Sequence, residues 1–201
     1  MPKRKTDSRS YSPRKLDIRE VKERFLIVCE GMKTEPYYFR SFRVPKAVVS
    51  VKGAAGDPTR LVNTANKLAQ EDEYDQVWCV FDRDEGAWTA QNFNNALQNA
   101  KTYNFHVAYS NECFELWYIL HFQFLNTGLP RSDYENKLSE LLGAKYRKND
   151  STIYQQLIAK QPIAIKHAQK LLANYNRHNP ERDNPSTTVH LLVQALNKFV
   201  D

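Results

Sequence analysis

Cysteine is scarce in this chain, and its pattern removes two fold classes at once. The 201 residues include three cysteines, Cys29, Cys79 and Cys113. An odd number at wide spacing fits neither a disulfide framework nor a zinc site. Cys29 and Cys79 lie inside apolar runs and read as small buried residues. Long hydrophobic runs are missing as well: no stretch approaches the roughly 20 apolar residues that cross a bilayer, so no membrane partner is expected. No apolar stretch follows the basic start within the first 20 residues, which argues against a signal peptide and for a cytoplasmic location. Internal repeats are absent. No aromatic platform for single-stranded RNA and no base-reading helix is recognisable, so the residues do not separate RNA from DNA as a partner. Nothing in them fixes an oligomeric state.

What is present suffices for a sizeable core: 41 % of residues are hydrophobic and 12 % aromatic. The formal net charge of +6 is unevenly spread. Residues 1–15 carry Lys3, Arg4, Lys5, Arg9, Arg14 and Lys15 against Asp7, a net +5, which leaves about +1 for the other 186. The basic pI therefore belongs mostly to a tail, read here as disordered over residues 1–20. That tail either holds phosphates nonspecifically or is a solvated arm; the body offers no basic face by composition alone.

The body alternates short apolar runs with amphipathic stretches. Phe25–Cys29, Ala47–Val51, Val77–Phe81 and Phe105–Tyr109 read as strands, the first, third and fourth ending at Glu30-Gly31, Asp82-Arg83-Asp84-Glu85 and Ser110-Asn111. Helices are predicted to about Phe42 with Thr34 as cap, after an Asp57 cap with Pro58 at the first position, from Thr89 to about Lys101, and over Phe114–Phe122. This order predicts an α/β domain over residues 21–128 with a mainly parallel sheet and flanking helices. Residues 129–201 read as a helical region packed on it, with helices over Tyr134–Leu142, Thr152–Leu157, Ile163–Tyr175 and Thr188–Phe199. Asn184-Pro185-Ser186-Thr187-Thr188 reads as a helix start, with Ser186 or Thr187 as cap.

Ligands of parallel sheets sit beyond the carboxyl ends of the strands. Three strands here end in acidic or amide residues: Glu30, then Asp82 and Asp84, then Asn111. Asp82 and Asp84 are two apart and face one side of an extended end. Three carboxylates in one crevice either raise their pKa values or hold a cation between them. Oxygen ligands without His or Cys select Mg²⁺ or Mn²⁺ rather than zinc. An Asp-x-Asp pair by itself also caps helices or decorates loops; the joint placement with Glu30 is what points to a metal. Phosphodiester chemistry also needs positive charge, for which Lys33, Arg83 and Lys148 are candidates, each equally readable as a surface charge. Glu115, amid Phe114 and Trp117, is a candidate to support the site from behind. His121 reads as a core histidine. Arg177, His178 and Arg182 are candidates for a phosphate backbone.

The strings VCEGMKTEPYYF, VFDRDE, SNECFELWYILHF and NPSTTVHLLV together resemble the RloB family of bacterial phage-resistance proteins, from about Arg24 to the C-terminus. The Glu-Gly turn and the Asp-Arg-Asp run resemble the TOPRIM domain of topoisomerases, primases and related nucleases. The resemblance implies a TOPRIM-like fold and a Mg²⁺-dependent nuclease, with Glu30 as metal ligand and general acid–base and Asp82 and Asp84 as metal ligands. It implies a toxic effector of abortive infection, with RNA such as transfer RNA, or DNA, as target and a partner ATPase as restraint. The family pattern has Asn-Pro where this chain has Asn111-Glu112, which makes Glu112 a further candidate carboxylate. Two other readings stay open. One is another phosphoryl-transfer hydrolase; against it, phosphatases with an Asp-x-Asp motif carry it after their first strand. The other is a non-catalytic nucleic-acid- or partner-binding module.

Overall fold

The computed structural model describes residues 22–45 and 47–200; the basic tail lies outside them. Four parallel strands carry the core: β1 (Glu23–Cys29), β2 (Ala47–Gly53), β3 (Gln76–Asp82) and β4 (His106–Asn111). A two-residue strand, β5 (Ser186–Thr187), closes the edge antiparallel to β4, and the sheet order is β2-β1-β3-β4-β5. Helices α1 (Thr34–Arg40), α2 (Pro58–Glu71) and α3 (Ala87–Thr102) connect the parallel strands. The remaining helices are α4 (Glu115–Ile119), α5 (Arg131–Leu142), α6 (Ile153–Leu157), α7 (Gln161–Ala173) and α8 (Val189–Asn197). The fold is thus the expected mixed α/β layer structure, a mainly parallel sheet flanked by helices. Among the described residues no helix is long and apolar enough to cross a membrane.

The alternation of side chains along the strands sorts the core onto two faces. Leu26, Val28, Val77, Cys79 and Phe81 pack with α2 and α3. Phe25, Ile27, Cys29, Trp78 and Val80 pack against α1, α4 and the C-terminal helices. On β3 this parity carries one residue further: Asp82 follows Trp78 and Val80 and so faces the second layer. The helix starting after Asp57 forms as its capping chemistry dictates, with Asp57 accepting from the Thr59 and Arg60 N–H groups at 2.9 and 3.1 Å.

Three details differ from the sequence expectation. Thr34 is the first residue of α1 rather than its cap; its hydroxyl donates to the Lys148 carbonyl at 3.1 Å instead. The α5 helix begins at Arg131, three residues before the first apolar position, Tyr134. Ser186 and Thr187, read as caps, pair with β4 as β5 before α8 starts. A two-residue strand buried among polar contacts has no alternation from which to be recognised.

Candidate metal centre and cleft

In this sheet order the chain leaves β1 toward β2 on one side and returns to β3 on the other. The crevice at such a switch point lies between the carboxyl ends of β1 and β3. Glu30 and Asp82 stand there. The Glu30 N–H donates to the Val80 carbonyl at 2.9 Å, extending the ladder by one residue. Its carboxylate Oε2 accepts the backbone N–H of Asp82 at 3.0 Å. The two expected acids from separate strands therefore meet. Asp84 joins them through an ion pair: the Arg131 guanidinium bridges Asp82 Oδ2, at 3.3 Å, and Asp84 Oδ1.

The cleft beside them, of about 300 Å³, is lined by Lys33, Thr34, Glu35, Glu115, Arg131 and Lys148 among others. Two acids here, Glu35 and Glu115, come from α1 and α4. Glu35 is buried, and the glycine at position 31 makes that possible: a Cβ added to Gly31 would lie 2.2 Å from Glu35 Oε2. Glu115 is 3 % exposed and accepts the Tyr146 hydroxyl at 3.1 Å. Lys148 Nζ lies 3.9 Å from Glu115 and 3.1 Å from Glu135. The Tyr146–Lys148 segment is thus stitched across the cleft, to α4 through Tyr146, to α5 through the Ser139 hydroxyl and to α1 through Thr34.

Glu30, Glu35, Asp82, Asp84 and Glu115 crowd around Arg131 and Lys148, with Lys33 at the rim. The electrostatics follow. Burial pushes the Glu30 carboxyl up to about 7, against the Asp82 N–H that favours its ionised form, with Glu35 adding repulsion. Asp82 is pushed well above the ordinary carboxylate range, by burial first and then by Glu35, while Arg131 pulls it back. Glu35 is raised by burial, partly offset by the N–H groups of its own residue and Gly31. Burial works against the Lys148 ammonium, but Glu115 and Glu135 outweigh it and hold its pKa above the usual value.

Other expected site residues are placed elsewhere. Lys33 is exposed at the cleft's rim, just before α1. Arg83 engages the Asp84 carbonyl and lies 3.4 Å from the Thr89 hydroxyl, at the start of α3. Asn111 is not brought to the cleft: it is buried, and its amide donates to the Pro180 and Glu181 carbonyls at 3.3 Å each. Glu112 accepts from Asn184 at 3.1 Å, on the side of Glu85 and Arg83 rather than that of Asp82. His121 is a core histidine, its Nδ1 2.9 Å from the Trp117 carbonyl and its pKa lowered by burial to about 4. His178, read as a phosphate contact, stands between Tyr109 (2.7 Å) and Asp183 (2.6 Å). Glu35 and Arg131 were not singled out from the sequence. Glu35 sits five residues after Glu30 inside the same motif, a signal that was available; Arg131, 49 residues from Asp82, follows no spacing rule.

A family model described as RloB-like protein matches residues 25–196. The chain belongs to this family. The match spans every residue of the cleft, so in this RloB-like chain Arg131 and Lys148 stand inside the family region along with the acids. No curated protein and no solved structure matches the chain significantly.

The donor set fits a hard divalent cation in chemistry: carboxylate oxygens only, half-buried to buried, with unneutralised charge and a positive group already drawn onto the Asp82/Asp84 pair. Among the described residues no three His, Cys, Asp or Glu side chains form a ready metal-binding group; both aspartates are engaged by Arg131 instead.

Proposed function

We propose that this RloB-like protein is a Mg²⁺- or Mn²⁺-dependent nuclease of the TOPRIM type, hydrolysing phosphodiesters of RNA, such as transfer RNA, or DNA. The observation that carries this reading is the meeting of Glu30 with Asp82 at the switch point of the sheet. Glu30, Asp82 and Asp84 are the residues that would hold the ion. Bound there, a divalent cation polarises a phosphoryl oxygen and acidifies a water. The chain's own groups do the rest. Glu30 is the carboxylate that would take the proton of the attacking water or relay it. Lys148 and Arg131 present positive charge to the phosphate in a partly enclosed cleft, where such charge counts for more than in bulk water. Glu115, through Lys148 and Tyr146, positions the lysine. Lys33, at the rim, is a contact for the nucleic-acid backbone. In a bacterial cytoplasm such an activity is that of a toxic effector in anti-phage defence, for which a partner ATPase is the fitting restraint.

The purified protein, incubated with total RNA and with plasmid DNA in Mg²⁺, Mn²⁺ or EDTA, is expected to cut one of them only with metal. Asp82→Ala with Asp84→Ala is expected to lower cleavage at least about a hundredfold while the fold is kept. Wild-type cleavage by the double variant would overturn the assignment. One observation favours a second reading, a non-catalytic binding module: the aspartates are paired with the chain's own arginine. It predicts nucleic-acid binding indifferent to EDTA and no cleavage of either substrate.

A further inference from the structure

Arg131 differs from the other groups of the cleft in where its two ends lie. It is the first residue of α5, after Pro130, and so is carried by the C-terminal region rather than by the strands that hold the acids. Its guanidinium reaches Asp82, whose side chain is only 10 % exposed, and Asp84, yet the arginine side chain itself is 44 % exposed. A planar guanidinium spanning two carboxylates neutralises a pair that is costly to leave charged and uncompensated. Because one side of it already faces water, it can withdraw without being desolvated on the way, and its long side chain lets it do so without moving the helix. It lines the same cleft as Lys148, where a substrate phosphate would be within its reach.

We infer that Arg131 is an exchangeable counter-ion of the Asp82/Asp84 pair, which holds the pair without metal, yields it to a divalent cation, and then turns to the substrate phosphate. This inference rests on the metal-site reading above. It gives one residue two effects of opposite sign. Removing the guanidinium removes a competitor for the metal, so the ion binds more tightly. It also removes a bidentate phosphate ligand, so cleavage slows. A merely structural arginine would weaken both.

Mn²⁺ binding to the full chain is to be measured by titration calorimetry for the wild type, Arg131→Ala, Arg131→Lys and Asp82→Asn. Asp82→Asn is expected to bind Mn²⁺ at least tenfold more weakly. Arg131→Ala is expected to bind it at least tenfold more tightly, Arg131→Lys to fall between it and the wild type, and both to cleave more slowly at saturating Mn²⁺. If Asp82→Asn loses affinity but Arg131→Ala gains none, the exchange is wrong and the metal site stands. If Asp82→Asn binds as the wild type does, the metal site is wrong and the exchange falls with it. Should Arg131→Ala fail to fold, the wild type alone decides. Its Arg131 Nε–H resonance, assigned by its loss in Arg131→Lys, is expected to move on adding Mg²⁺ and to stay in place with K⁺ at equal ionic strength. A resonance unmoved by saturating Mg²⁺ also overturns the exchange.

Discussion

At the scale of single residues, the cleft is governed by the cost of crowding acids away from water. Glu30 has an ordinary value of 4.5 and is pushed to about 7 in the fold. Below the first value it is protonated whether folded or not. Between the two, the folded chain keeps a proton that the unfolded chain releases, so stability falls as pH rises; above 7 the full penalty stands. Glu30→Gln keeps an oxygen for the Asp82 N–H and never ionises. In EDTA its unfolding free energy from urea denaturation is expected to pull ahead of the wild type's as pH is raised from 5 to 8, by on the order of 2 kcal/mol. A constant difference across that range would mean that Glu30 ionises freely. Gly31 is the second pressure point. With an alanine Cβ 2.2 Å from Glu35 Oε2, the buried carboxylate must leave its amide partners. Gly31→Ala is expected to cost about 1–3 kcal/mol in urea denaturation; a stability equal to the wild type's would show that Glu35 relocates freely.

At the scale of elements, what was legible depended on whether a local rule applied. Strands β1 and β3 were readable because each is a continuous apolar run that stops at a carboxylate, β4 because its short apolar stretch stops at Ser110-Asn111, and β2 because of its β-branched valines. Their stops named Glu30, Asp82 and Asp84. The α2 cap was readable because Asp57-Pro58 satisfies two terminal rules together, and the structure has both. Asp57→Ala is accordingly expected to lower stability by about 1 kcal/mol, read from thermal or urea unfolding. The start of α5 was not readable: its first turn, Arg131-Ser132-Asp133, is polar, and only Tyr134 and Leu138 mark a buried stripe. Arg131 was lost with it. Asn111's surroundings were not readable for a related reason. Its position at a strand end was correct, but its amide serves the Pro180–Glu181 carbonyls, contacts made by a loop about 70 residues away that no spacing announces.

At the scale of the whole molecule, residues beyond about 128 are not an accessory. Tyr134, Leu138, Leu171, Val189 and Leu196 share one buried cluster with Phe25, Ile27 and Trp78 of the sheet. Removing them would bare the part of this face that α1 and α4 do not cover, together with Trp117 and Tyr118 on α4, a loss far larger than the margin that keeps a domain folded. The same region supplies Arg131 and Lys148 of the cleft, so the fold and the site depend on it together. Two results follow. A chain ending at residue 128 is expected to be unfolded or aggregated, without cooperative melting. The full chain is expected to unfold in one step, with tryptophan fluorescence, to which Trp78 and Trp117 in that cluster contribute, and far-UV circular dichroism giving coincident denaturation curves. If the short chain melted cooperatively, the α/β part would be able to close its own core, and Arg131 and Lys148 would belong to a separable cap.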